Sequence, residues 1–237
     1  MFVAGITKVR NESHIIKDTL NHYAQWCDGI YVYDDFSTDD TPDICEAHPA
    51  VKTVIRGTNL DPNRPRAEAR NRQVALTAAR VDNPTWVICF DADERIDGLP
   101  DNWWKYDGVK MRFFDFYITE EDVDKPWHER KWIGPEYREI LMMYRLQPQM
   151  RYQHYDQREM TVRGSQNVLR DGYVKHYGKA ISVEEWEKTC DYYAEWPEPY
   201  ATKWKNRRGQ AVHSKSDFGR PLILWEERAL YDRRLTE

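Results

Sequence analysis

No apolar run in this 237-residue chain approaches the roughly 20 residues that cross a bilayer, and the opening MFVAGITKVRNE lacks the basic, apolar and small-residue sections of a signal peptide. A transmembrane anchor is not expected, and a cytoplasmic location is. Excess positive charge is missing too. The 35 Lys and Arg stand against 40 Asp and Glu, a net charge of -5, which argues against a nucleic-acid partner held by a global basic field. Cysteine is sparse: Cys27, Cys45, Cys89 and Cys190 form no C-x-x-C pair, so neither a disulfide framework nor a zinc site is indicated and free thiols are expected. No internal repeat, low-complexity tract or long linker divides the chain.

Aromatic residues are plentiful, with 10 Trp and 15 Tyr, and the Trp gather after residue 85 in DNWWKY, KPWHERKWIG and EEWEK. Such rings stack on sugar C–H faces, but filling a core is the commoner use of any single Trp. The first third alternates in type. FVAGITKV (2–9), IYVYDD (30–35), VKTVIR (51–56) and TWVICFD (85–91) are strand-like. Between them ESHIIKDTLNHYAQW (12–26, closed by Gly29), STDDTPDICEAH and RAEARNRQVALTAARV (66–81) are helix-like. That order predicts an α/β fold with a mostly parallel sheet and helices on both faces. After residue 95 the pattern changes. Strand-like runs at 109–118, 136–146 and 160–177 precede a helix at 182–196, where Ser182 and Glu185 are spaced as a capping box, and RPLILWEERALYDRR is expected as a terminal helix.

VICFDADERIDG (87–98) drives an apolar strand into Asp91, Asp93 and Glu94. Neighbouring carboxylates repel and resist desolvation, so either the segment ends in a solvated acidic turn or a cation from outside the chain compensates, most simply a divalent ion with a phosphorylated ligand. Ligands of parallel α/β sheets bind beyond the carboxyl ends of the strands. Three strands deliver charge there: the first into Lys8-Val9-Arg10-Asn11-Glu12, the second into Asp34-Asp35-Phe36-Ser37-Thr38, the fourth into Asp91 to Glu94. That recurrence favours a binding site over a solvated turn.

VRNE, YDDFSTDDT, ARN within RAEARNRQ and FDADE, in this order and spacing, resemble the nucleotide-sugar half of family-2-type glycosyltransferases. The resemblance covers residues 2 to about 95 well and about 96–178 loosely. It implies a single GT-A type domain, with residues 1–95 binding the nucleotide-sugar, 96–178 forming a smaller mixed-strand acceptor region, and 179–237 a C-terminal helical extension. It further implies transfer of a sugar, from a UDP-sugar first among donors, to a hydroxyl of a glycan or other acceptor, with Mn²⁺ or Mg²⁺ and inversion. Asp35 is then the acceptor for a base N–H, with Asp34 its alternate. Asp91 faces the ribose or supports the metal shell, Asp93 binds the ion, and Arg10, Arg66 and Arg70 reach the base or diphosphate unless they are surface cations. His176 in YVKHYG matches a strand-end His that supplies a further metal ligand, with His213 in AVHSKSDFGRP as competitor. The short acidic motif that often carries the base in such enzymes is absent here; in RYQHYDQREM (151–160) Asp156 is the expected base and Glu159 the reserve.

Two other classes compete. A nucleotidyltransferase uses a similar platform but needs a glycine-rich basic loop near its first strand, and KVRNESH has no glycine. A non-catalytic carbohydrate-binding descendant suits the Trp content but not the intact Asp91 and Asp93.

Overall fold

A computed structural model of the chain describes residues 1–61, 63–152, 159–160 and 167–232. The chain forms, in order, β1 (Val3–Val9), α1 (Ile16–Tyr23), β2 (Gly29–Asp34), α2 (Thr41–Glu46), β3 (Val51–Arg56), α3 (Arg64–Ala79), β4 (Trp86–Phe90), β5 (Glu94–Ile96), β6 (Gly108–Asp115), β7 (Trp132–Ile133), β8 (Glu139–Arg145), β9 (Val168–His176), α4 (Val183–Ala194), α5 (Tyr200–Lys205) and β10 (Ile223–Leu224). The expected α/β class is what the structure has.

Two compact units divide the chain. The first comprises residues 1–111 and 140–172, the second 112–139 and 173–237. β6 and β9 begin in the first unit and end in the second, so the boundary falls inside strands, where no composition shift marks it.

Every strand of the eight-stranded sheet, ordered β3-β2-β1-β4-β8-β6-β9-β5, has residues in the first unit. β1 pairs in parallel with both β2 and β4, β2 pairs in parallel with β3, and β4 pairs antiparallel with β8. All five residues of β4 are buried, as a strand covered on both faces requires, and full burial of each large apolar side chain contributes about 1.5–3 kcal/mol. Tyr23 of α1 stacks on Phe90 with ring centroids 3.7 Å apart. α1 is shorter than its apolar stripe suggested: residues 13–15 and 24–26 form turns at its two ends, and Gly29 opens β2 instead of closing the helix.

α3 starts at an Asn63 cap, whose side chain accepts from the Arg66 N–H, and packs against β1 and β2. Its small residues Ala67, Ala69, Ala75 and Ala79 are buried, which lets the helix approach the sheet closely.

In the second unit Phe114, Phe116, Ile133, Tyr177, Ala180 and Ile223 form a core, and Trp186, Cys190, Trp204 and Ala211 a smaller one under α4 and α5. Ser182 caps α4, accepting from the Glu185 N–H as expected. The expected terminal helix is not α-helical: β10 pairs with β7, and residues Trp225–Tyr231 form a 3-10 segment. All four cysteines are free and buried. Among the described residues no helix is long and apolar enough to cross a membrane.

Candidate functional site

Parallel register brings the ends of β1, β2 and β4 side by side, with Val9 opposite Asp34 and Thr7 opposite Phe90. The residues that follow these strands therefore share one edge of the first unit. Arg10 stands there half-buried, its Nη1 donating to the carbonyls of Asp35 at 2.8 Å and Phe36 at 2.6 Å. It ties the end of β1 to the turn after β2. Phe36 in that turn has φ of 62°, the left-handed region that a bulky residue rarely adopts.

Asp35 is 1% exposed. Its Oδ1 accepts from Asn71 Nδ2 at 3.0 Å, and its Oδ2 lies 3.9 Å from Lys8 Nζ. Asp34, also buried, uses Oδ2 to accept from the Ser37 N–H at 3.2 Å, while its Oδ1 has no hydrogen-bond partner among the described residues.

Lys8 Nζ reaches Glu68 Oε1 at 2.5 Å, Glu68 Oε2 accepts from Arg72 at 2.8 Å, and Arg72 Nη2 donates to Asp91 Oδ1 at 2.7 Å. A continuous chain of alternating charge thus runs from Asp35 to Asp91. Burial opposes the charge on Arg72, but Asp91 and Glu68 outweigh it and hold the guanidinium well above its ordinary pKa. Burial likewise opposes ionisation of Glu68, and Lys8 and Arg72 overcome it, so its carboxyl lies below the usual range.

The turn after β4 is held on several sides. Glu94 is buried and accepts the Asp91 N–H at 3.1 Å. Thr19 donates to the carbonyl of Ala92 at 2.5 Å, and Arg95 Nη1 donates to those of Ala92 and Glu94 at 3.0 and 2.7 Å. Asp93 is half-buried on this fixed turn. Arg72, on the same helix as Arg66 and Arg70, supplies an internal cation for Asp91.

Arg70 and Arg66 are exposed on α3, and Arg70 Nη1 pairs with Asp61 at 2.7 Å. Asp156 lies outside the described residues. Glu159 accepts from the Leu141 N–H at 2.8 Å and pairs with Lys110 at 3.4 Å.

In the second unit His176 ends β9 with Nδ1 2.5 Å from Asp115 Oδ1. Asp115 is 7% exposed and also accepts from Arg138 at 2.7 Å and Lys179 at 2.8 Å. Burial pushes its carboxyl up, but Lys179, His176 and Arg138 prevail and set it well below the usual range. Lys179 continues to Asp217 at 2.8 Å, which Arg207 meets at 2.9 Å. His213 is packed edge-on against Tyr117 and Trp186, with Nδ1 2.8 Å from the carbonyl of Ala211, and burial lowers its pKa.

Glu68 and Arg72 are the residues that motif reading misses. A signal exists: Ala69, Arg72, Leu76 and Ala79 follow helical spacing, so Arg72 interrupts an otherwise apolar stripe.

Residues 6–103 match the model of a family described as "Glycosyl transferase family 2". All four motifs fall within that segment. Two curated proteins of uncharacterised role, Mb3815c of Mycobacterium bovis and Rv3786c of Mycobacterium tuberculosis, are each 36% identical over 95 residues, or 39% of this chain. The match spans 23% of their length. Among solved structures the chain is similar to S. aureus TarS, at 16% identity and TM-score 0.44, over 86% of this chain and 41% of that one. It is similar to mannosyl-3-phosphoglycerate synthase from Rubrobacter xylanophilus at 20% identity and TM-score 0.37, over 52% and 42% of the two chains.

Proposed function

From the premise that residues 6–103 are a glycosyl transferase family 2 segment, we propose that this protein moves a sugar from a nucleotide diphosphate donor, a UDP-sugar first among them, to a hydroxyl of a glycan or other acceptor. The observation that carries this reading is the contact chain joining Asp35 to Asp91 across the ends of three adjacent parallel strands, where α/β sheets bind ligands.

Asp35 receives the base N–H. A carboxylate has about four lone-pair sites, so one oxygen serves Asn71 while another accepts from the ligand. Asp91 and Asp93 offer hard carboxylate oxygens on a turn held by Thr19 and Arg95, a donor set that suits Mn²⁺ or Mg²⁺. His176 is proposed as a metal-binding residue, its Nδ1 held by Asp115. When bound, the ion supplies a Lewis acid for the charge on the departing diphosphate. Arg10 holds the turn bearing Asp35, and Arg66 and Arg70 are the cations for base or diphosphate. Asp156 is the proposed base that takes the acceptor proton in an inverting reaction.

The test is release of nucleoside diphosphate from UDP-, GDP- and dTDP-sugars, with Mn²⁺ or with EDTA. Mn²⁺-dependent release from UDP-sugars is expected. Binding of a sugar with no release from any donor, or pyrophosphate release from a nucleoside triphosphate and a sugar phosphate, overturns the proposal.

A further inference from the structure

The second unit contains a cavity of about 280 Å³ lined by Glu136, Tyr137, Arg138, Phe218 and Arg220. We propose that it binds one pyranose ring, with the ring's C–H face on Tyr137 and Phe218 and its hydroxyls on Glu136 and the two guanidiniums.

Phe218 is 69% exposed, an unfavourable position for a large apolar side chain, yet the turn that presents it is closely held. Ser216 Oγ accepts the N–H groups of Phe218 at 3.3 Å and Arg220 at 3.2 Å and donates to Glu136 Oε1. The Ser216 N–H meets the carbonyl of Arg220 at 2.9 Å, and Gly219 takes φ of 75°, open to glycine without strain. One serine therefore couples Phe218 and Arg220 to the opposite wall. Arg138 is anchored on Asp115, and the guanidinium of Arg112 lies 4.5 Å from the Tyr137 ring centroid. The walls are preorganised.

Chemistry narrows the occupant. A sugar hydroxyl both donates and accepts; arginine only donates and an ionised carboxylate only accepts, so this lining serves both halves of a diol. A simple anion is opposed by Glu136, and Arg138 already answers Asp115. A purely apolar ligand would leave three charged groups facing it. The volume lies just below the roughly 300–1,000 Å³ of pockets for drug-sized molecules, which accommodates one ring. In the transfer reaction this pyranoside belongs to the acceptor, and that assignment rests on the function proposed above; the binding does not.

Saturation-transfer NMR of methyl glucoside, galactoside and mannoside with the full chain tests it, beside Phe218→Ala and Arg220→Ala. Both side chains are exposed, so neither truncation empties a core. At least one pyranoside is expected to receive saturation, with affinity about tenfold weaker in each variant, the loss of one charged hydrogen bond or one stacking face. No transfer to any of the three, equal transfer to the variants, or displacement by inorganic phosphate would overturn the proposal. UDP binding to Phe218→Ala, measured by calorimetry on the same sample, is expected unchanged. Loss of UDP binding in the wild-type chain with pyranoside binding intact would instead overturn the donor reading alone.

Discussion

The guanidinium of Arg72 donates to Asp91 at 2.7 Å and to Glu68 at 2.8 Å while only 3% exposed. A buried cation between two carboxylates from different elements fixes where the first acid of the Asp91-Ala92-Asp93 motif stands. Removing Arg72 costs about 3 kcal/mol, the lower end for breaking a buried pair, because Glu68 keeps Lys8 and Asp91 is 31% exposed to water. Arg72→Met is expected to lower stability by that amount in urea titrations. Arg72→Lys should recover part of it, since an ammonium reaches one carboxylate but lacks the planar fork that serves two. Equal midpoints for all three proteins would show that the pairing contributes nothing.

Asp93→Asn should abolish Mn²⁺-dependent transfer and leave the fold intact. Taking one negative charge from a turn that also carries Asp91 and Glu94 relieves repulsion, while an ion held by hard oxygens loses an anionic ligand. Turnover is checked beside the melting temperature. Full activity, or a variant that fails to fold, would remove Asp93 from the proposed metal set.

The parallel strands were legible because burial on both faces writes itself as uninterrupted apolar runs, as in β4, and helices with strong periodicity lay between them. Side-chain partnership was not. Nothing local to Arg72 names Asp91, which is 19 residues away and meets it only once α3 packs on the sheet. Arg70, singled out by its motif, points instead to Asp61. RPLILWEERALYDRR had a helical pattern, but pairing of Ile223 and Leu224 with β7, and contacts of Trp225 with the rings of Phe114 and Phe116, take those residues elsewhere. Tertiary packing overrode local propensity there. Of the nine Trp after residue 85, four are buried in the interior, Trp86, Trp103, Trp186 and Trp204, while Trp104 is 48% exposed.

Asp35→Ala is expected to weaken binding of UDP even in EDTA, because the proposed contact is to the base. The loss of a hydrogen bond to a charged acceptor is worth about 1.5–3 kcal/mol, or roughly ten- to a hundredfold in affinity. The variant also deprives Asn71 Nδ2 of its acceptor, so a stability loss of about 1–3 kcal/mol should accompany it. Asn71→Ala separates the two effects: it shares the stability loss and keeps the carboxylate. Equal UDP affinity for wild type and Asp35→Ala in calorimetry would take Asp35 out of the site.

Asp115 makes the second unit sensitive to acid. Its carboxyl is held well below the usual range against the desolvation of burial, by Lys179 first, then His176 and Arg138. The native state thus refuses a proton that the unfolded chain accepts near pH 3.9. For a depressed carboxylate the stabilisation is fully present above the unfolded pKa and is lost as pH falls through the folded value. Stability from this group should therefore be flat between pH 7 and pH 5 and fall below about pH 4. Asp115→Asn leaves Lys179 to Asp217 and Arg138, 45% exposed, to water, and is expected to cost about 3 kcal/mol at neutral pH, the lower end for breaking a buried pair. The gap between wild type and variant should then narrow as the solution is acidified, because protonation makes the wild-type side chain neutral too. Glu68 and Asp217 are depressed in the same direction, so both proteins still lose stability in acid, and only the difference between their curves reports on Asp115. Urea titrations at a series of pH values measure it. Curves that stay parallel down to pH 3 would show that Asp115 carries no such linkage, and that Lys179 is held through Asp217 alone.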